Sequence, residues 1–175
     1  MEPEPPVAAR HRARILYFPT HSGQERKEIL AELLNASVSN LNSLYVEPPL
    51  YVDYGTNIEL KGSFYANYNT TVFYCATITI GTRVYIGPNV SLYAATCGIS
   101  VKERQTILER TSEIVVGNDC WIGGGDNTQA DVVLGQRCTV GTGSIVTKSL
   151  PDRCVVSHDS ESFVDLSIFK RPMEP

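Results

Sequence analysis

The hydrophobic positions beyond about residue 80 keep a rhythm of their own. An aliphatic residue followed by glycine recurs every six positions: Ile80-Gly81, Ile86-Gly87, Val116-Gly117, Ile122-Gly123, Leu134-Gly135 and Val140-Gly141. Leu92-Tyr93, Thr128-Gln129 and Val146-Thr147 hold the same phase with other second residues. The step from Leu92 to Val116 is 24, a multiple of six, so both halves share one beat. A sixfold repeat fits neither a 3.6-residue helix nor a period-2 strand alone. It fits a triangular solenoid, in which each hexad is a short strand plus a corner and three hexads close a coil. Residues 18 apart then stack in neighbouring coils, with Val116 on Leu134, Ile122 on Val140, Thr128 on Val146 and Cys120 on Cys138. Stacked strands lie about 4.8 Å apart. The inward aliphatic residue fills a narrow interior, and the glycine suits a corner needing unusual backbone angles. Cys120 and Cys138 read as small core residues.

Upstream the pattern differs. Ile29, Leu30, Leu33 and Leu34 share one face of a short amphipathic helix within residues 24–38. The two prolines of "VEPPLYVDYG" keep the following connector extended. The predicted order is a flexible arm (1–15), helix and connector (16–56), solenoid (57–150) with an extended loop (93–113), and a tail (151–175). That is a mainly β chain.

Charge narrows the function. A net charge of -4 is not the basic footprint of a nucleic-acid binder. The N-terminal "MEPEPPVAARHRAR" has no apolar stretch, and no window approaches the roughly 18 apolar residues of a membrane span. A cytoplasmic protein is expected, with no membrane partner. The five cysteines (75, 97, 120, 138 and 154) contain no C-x-x-C pair, so neither a disulfide framework nor a closed metal site is expected.

The hexads, together with "VEPPLYVDYGTNIEL", "FYANYN", "GPNV", "WIGGG" and "GTGSIVTK", resemble the galactoside/maltose O-acetyltransferases of the hexapeptide-repeat family. The resemblance runs from about Tyr17 to Pro151. It implies a left-handed parallel β-helix, an exception to the right-handed crossover rule. It also implies a homotrimer whose active sites lie in clefts between subunits, passing acetyl groups from acetyl-CoA to sugar hydroxyls. Asn67, Trp121, Thr147 and Lys148 match the family's pattern.

Other positions depart from it. The family's loop carries a histidine, in T-x-H-P or T-G-H-P, as general base for the acceptor hydroxyl. Cys97 stands there, followed by Gly98. Cys75 replaces the acceptor-binding aspartate that follows the "AN-x-N" strand. The basic C-terminal segment that meets the CoA phosphates is replaced by "SHDSESFVDL". A histidine has a reference pKa near 6.5 and a thiol near 8.5, which makes the thiol the poorer base and the better nucleophile. Losing a general base typically slows a reaction about 10²–10⁴-fold.

Two other segments invite chemistry. "GDNTQAD" puts Asp126 and Asp131 where the family has an aliphatic turn, re-lining the cleft with candidate acids or bases. Thr128 takes an inward position and needs a hydrogen-bond partner. His158 sits beside Asp159, an acid able to raise an imidazole pKa. Tyr65, Tyr68, Tyr74, Tyr85 and Tyr93 suit an apolar or aromatic substrate.

The candidate catalytic residues are therefore Cys97, Asn67, Asp126 and His158. Asp53, Tyr65, Cys75, Tyr93 and Trp121 are candidates for substrate binding. Gly124, Thr142, Thr147 and Lys148 would hold CoA if it binds. The sequence predicts a repurposed acetyltransferase fold that runs a cofactor-independent cyclisation, isomerisation or elimination on a small molecule, with no cofactor or metal. The alternatives are an atypical acetyl-CoA-dependent O-acetyltransferase and a non-catalytic binding protein.

Overall fold

The computed structural model describes residues 22–33, 43–53, 57–73, 75–106, 109–157 and 163–165. Helix α1 (Gly23–Leu33) opens them. Ser22 Oγ accepts from Glu25 N at 3.2 Å, and the Glu25 carboxylate accepts from Ser22 N at 2.6 Å. This reciprocal box satisfies backbone donors that a helix start leaves open. Leu30 and Leu33 of α1 join the core, while Leu34 lies outside the described residues.

The chain then winds into coils. The first coil holds β1 (Leu44–Val46), β2 (Leu50–Val52) and β3 (Ile58–Leu60). The second holds β4 (Phe64–Ala66), β5 (Thr70–Phe73) and β6 (Ile78–Ile80). In the third, β7 (Val84–Ile86) and β8 (Ser91–Tyr93) are followed by a projecting hairpin of β9 (Ala95–Cys97), helix α2 (Val101–Gln105) and β10 (Glu109–Thr111). β11 (Ile114–Val116) closes that coil. The fourth holds β12 (Trp121–Ile122), β13 (Asn127–Gln129) and β14 (Val133–Leu134). β15 (Thr139–Val140), β16 (Ile145–Val146) and β17 (Cys154–Val156) follow, and β18 (Phe163–Asp165) runs antiparallel to β17.

Parallel pairing between coils makes three faces. Face A stacks β1, β4, β7, β12, β15 and β17, face B stacks β2, β5, β8, β13 and β16, and face C stacks β3, β6, β11 and β14. The stacking predicted at 18-residue spacing is present: Val116 pairs with Leu134, Ile122 with Val140 and Thr128 with Val146. Along the three-residue strands of the central coils on faces A and C the outer residues point in and the middle one out, whereas in β8 and β13 of face B the middle residue, Leu92 or Thr128, points in. In β7, Val84 and Ile86 are buried and Tyr85 is exposed.

Parallel pairing begins at Leu44 and reaches Val156, a longer solenoid than residues 57–150. The early coils fall outside the hexad beat because they are 20 residues long: Leu44 pairs with Phe64, Phe64 with Val84, and Ile58 with Ile78. The hexad glycines also serve a different purpose from the one predicted. None of Gly81, Gly87, Gly117, Gly123, Gly135 or Gly141 has a positive φ. A Cβ on Gly117 would stand 2.7 Å from the carbonyl carbon of Gly135, so close stacking of coils excludes one. The left-handed residue comes two positions later, at Arg83 (φ 56°), Asn89 (58°), Asp119 (59°), Gly125 (74°) and Arg137 (61°).

Candidate functional site

The sequence-predicted site residues fall into two groups on this prism. One group lies on face A and the edge between faces A and B. Tyr65 is the outward residue of β4, in register with Tyr45 on β1 and Tyr85 on β7, and Tyr85 is in register with Trp121 on β12. The result is an outward row of four aromatic side chains. The Tyr65 and Tyr85 rings lie 6.4 Å apart at 41°. A groove of about 360 Å³ runs beside them, lined by Ser43, Tyr45, Ser63, Tyr65, Arg83 and Tyr85 among others. Asn67 follows β4 at the edge, and its Oδ1 accepts from Tyr68 N at 2.8 Å. With that oxygen engaged, its Nδ2 is the end that can donate to a bound oxygen. Gly124 and Thr142 occupy the same edge in the fourth and fifth coils, tied by Gly143 N donating to Gly124 O at 2.9 Å.

The second group lies on the edge between faces B and C. Asp53 is buried where the chain leaves β2, and Cys75 is half-buried one coil on. Tyr93 ends β8 at the root of the hairpin, and a cavity of about 250 Å³ there is lined by Tyr93, Ala95, Thr96, Gln129 and Ala130. Cys97 is exposed on β9. Thr147 and Lys148 are exposed where the chain leaves β16. Face B separates the two groups, so one protomer does not bring them together.

The hairpin has residues that hold its shape and that the sequence reading missed. Ser100 caps α2, its Oγ accepting from Glu103 N at 3.2 Å. Arg104 donates to the carbonyls of Gly98 and Ile99, and Arg110 donates to the Glu103 carboxylate at 2.7 Å. A Cβ on Gly98 would lie 2.5 Å from Glu103 Cβ, so a glycine after Cys97 lets the short helix fold onto the strand. The S-x-x-E of "SVKE" was a visible capping signal. Tyr45 was also missed, because the row is set by the 20-residue coils and not by the hexads.

Asp126 is not on the cleft surface. It is fully buried in the solenoid interior, as is Thr128. Thr128 Oγ1 donates to Asp126 Oδ2 at 2.9 Å, which supplies the partner its inward position requires. Asp126 Oδ1 meets no donor among the described residues. Burial pushes the Asp126 carboxyl up to about 6, partly offset by hydrogen bonds from Thr128 and the Asn127 backbone. Asp131 is exposed at the edge between faces B and C, and His158 lies outside the described residues. Among the described residues no cluster of His, Cys, Asp and Glu is arranged to hold a metal ion, and no helix is long and apolar enough to cross a membrane.

Comparison with known proteins adds the chemistry of relatives. No family model matches the chain. A putative acetyltransferase of Saccharomyces cerevisiae is 35% identical over 133 residues, covering 76% of this chain and 66% of that protein. The galactoside O-acetyltransferase of Escherichia coli is 36% identical over 133 residues, covering 76% and 64%. The chain thus spans just under two thirds of these curated relatives. A solved galactoside acetyltransferase in complex with coenzyme A superposes with a TM-score of 0.76 at 30% identity, covering 86% of this chain and 76% of that one. The fold here is the left-handed parallel β-helix of such enzymes. By sequence and by architecture, the chain belongs to the hexapeptide-repeat acetyltransferase family.

Proposed function

We propose that the protein is an acetyl-CoA-dependent O-acetyltransferase of a small-molecule hydroxyl, working in clefts between the subunits of a homotrimer. The observation that carries this reading is the division of the site residues between two edges of one prism. A site using both groups needs the A–B edge of one copy to face the B–C edge of another. Relatives named as acetyltransferases support the reaction, and a coenzyme A complex among the structural neighbours supports the donor. A cofactor-independent reaction, expected from the altered loop, finds no support among them.

The residues present fit the cofactor. At Gly124-Gly125 and Thr142-Gly143 the A–B edge is backbone with little side chain, and a Cβ on Gly143 would meet nothing within 4 Å. A long thin chain can lie along such an edge. Trp121 offers a ring face on the same side, and Lys148 offers a cation suited to phosphate. When bound, acetyl-CoA supplies an activated acetyl thioester. Asn67 Nδ2 would orient an oxygen of the reacting groups, Tyr65 and Tyr93 would frame the acceptor, and Asp53 and Cys75 would stand at its far end. Cys97 occupies the loop position of the family's base. A thiol there makes a slow enzyme, because proton removal from the acceptor lacks an imidazole.

Titration calorimetry with CoA tests the reading. Micromolar binding is expected, weakened about 10-fold or more by Lys148→Ala through loss of charge-assisted contacts. No binding at millimolar CoA would sink it.

A further inference from the structure

Inside face A runs a second row, hidden behind the aromatic one. The inward residues that begin successive coils there are Phe64, Val84, Cys120, Cys138 and Cys154, all buried. The last three put a column of thiols in the interior. Cys138 Sγ and Cys154 Sγ are 3.4 Å apart, and all five cysteines of the chain are thiols. We propose that Cys138 and Cys154 form a dithiol–disulfide pair, closed by two-electron oxidants of the hydroperoxide class.

The backbone geometry suits the bond. Residues in register on adjacent parallel strands stand about 4.8 Å apart, and disulfides span Cα separations of about 4.4–6.8 Å. The two cysteines immediately precede the paired residues Thr139 and Val155, so they stack in register. Closing the sulfurs to bonding distance therefore asks for side-chain rotation and not for movement of coils.

The order of events follows from the column. As thiols, Cys120 donates to the Gly135 carbonyl and Cys138 to the Pro151 carbonyl, both at 3.0 Å. Cys138 has a thiol on either side able to turn a proton toward it. A Cys120 proton turned from the Gly135 carbonyl to Cys138 is what holds the Cys138 pKa below that of an ordinary thiol despite burial, and the same contact pushes Cys120 up. The Cys138 thiolate attacks a peroxide oxygen: the S–O bond forms, the O–O bond breaks, and the leaving hydroxide takes up the proton that Cys138 gave up, so that a sulfenic acid and one water remain. Cys154 then attacks that sulfur. The S–S bond forms, the S–O bond breaks, and hydroxide leaves with the Cys154 proton as a second water. Two thiols lose two hydrogens and hydrogen peroxide becomes two waters, so no other reactant is needed.

The oxidant's route is the end of the solenoid. Cys154 lies on β17, the last parallel strand, and terminal units open locally at lower free energy than the centre. The loop the bond would close contains Thr142, Thr147 and Lys148, which are proposed to hold the cofactor. The disulfide itself stands whether or not CoA binds.

The test treats the full native chain with hydrogen peroxide, alkylates remaining thiols under denaturing conditions, and maps peptides without reduction. The expected product has lost two hydrogens, links Cys138 to Cys154, and reverts with dithiothreitol. Its Tm rises by about 5–10 °C. Cys154→Val, which repeats the side chain that Val84 already places in the same column, abolishes link and shift, whereas Cys97→Ser keeps both. Recovery of Cys138 and Cys154 both alkylated, or links that involve only Cys97, would overturn the proposal. The wild-type map decides the matter even if the valine variant fails to fold.

Discussion

The A–B and B–C edges of the prism are built from the same repeat and have diverged to different degrees. Along A–B every coil after the first turns with asparagine or glycine in the left-handed position, at Asn69, Asn89, Gly125 and Gly143, and nothing is inserted. Along B–C the early coils take extra residues and the third throws out the whole hairpin. Asn67, Trp121, Gly124 and Thr142, on the regular side, include positions that match the family pattern. Cys75 and Cys97, which depart from it, lie on the irregular side, although Thr147 and Lys148 there do match. Loops outside the stacked ladder carry no rung hydrogen bonds, so they change chemistry without disturbing the coils.

The largest effect that would sharpen this contrast comes from the B–C edge. Cys97→His should raise acetyl transfer to a hydroxyl acceptor about 10²–10⁴-fold, since it returns an imidazole to the position of the base. The hairpin that carries it is held by Ser100, Arg104 and Arg110, so the new side chain enters a shaped loop. Rates should be measured with acetyl-CoA and a panel of hydroxyl acceptors, with Cys97→Ala as the control. An unchanged rate in the histidine variant would mean that the B–C edge has lost more than its base.

A smaller effect comes from inside the A–B edge, where regularity outside conceals a charge within. Asp126 is buried just past the Gly124-Gly125 turn, with Oδ1 lacking a donor among the described residues. Its folded pKa, about 6, lies above the unfolded value near 3.9. A raised acid pKa means that the folded state binds the proton more tightly. Asp126 therefore costs no stability below about pH 4 and its full cost above about pH 6. Asp126→Asn keeps an acceptor for Thr128 and removes the charge, so it should stabilise by about 1–3 kcal/mol at pH 7.5 and by little at pH 4. Denaturant melts across that range give the profile. Parallel curves for wild type and variant would show that Asp126 titrates in the folded chain as it does in the unfolded one, and that burial does not raise its pKa.

Asp126 also marks the limit of what was legible in the sequence. The hexads gave the solenoid and the 18-residue stacking, because an inward aliphatic residue every six positions has one regular solution. They also implied a second inward position two residues earlier: Cys120 before Ile122, Cys138 before Val140, Ser144 before Val146. On that rule Asp126, two before Thr128, belongs inside, yet its acidic chemistry suggested the cleft. The first coils were illegible for a different reason. Their 20-residue length breaks the phase, so β1 and β2 read as connector and the Tyr45–Tyr65–Tyr85 row went unseen. The division of site residues between two edges depends on which corner each residue occupies, and extra residues at corners shift that count.

The smallest effect concerns the third edge, between faces C and A. Its left-handed positions hold Arg83, Asp119, Arg137 and Arg153 where the A–B edge uses asparagine and glycine. Arg83 is tied to Asp119 by a two-pronged pair, including Nη2 to Oδ2 at 2.9 Å, which gives those two side chains a reason to occupy strained backbone. Arg137 is exposed and mainly adds a positive field at Asp119. An ordinary side chain in the left-handed region costs roughly 1–2 kcal/mol, and asparagine bears that conformation more easily without glycine's extra unfolded-state entropy. Arg137→Asn should therefore stabilise the chain by about 0.5–1 kcal/mol, a Tm rise of about 1–4 °C for a domain of this size. A fall in Tm would show that the arginine makes a contact worth more than the strain it bears. The C–A edge would then have to be counted with the hairpin as a place where the repeat has been adapted.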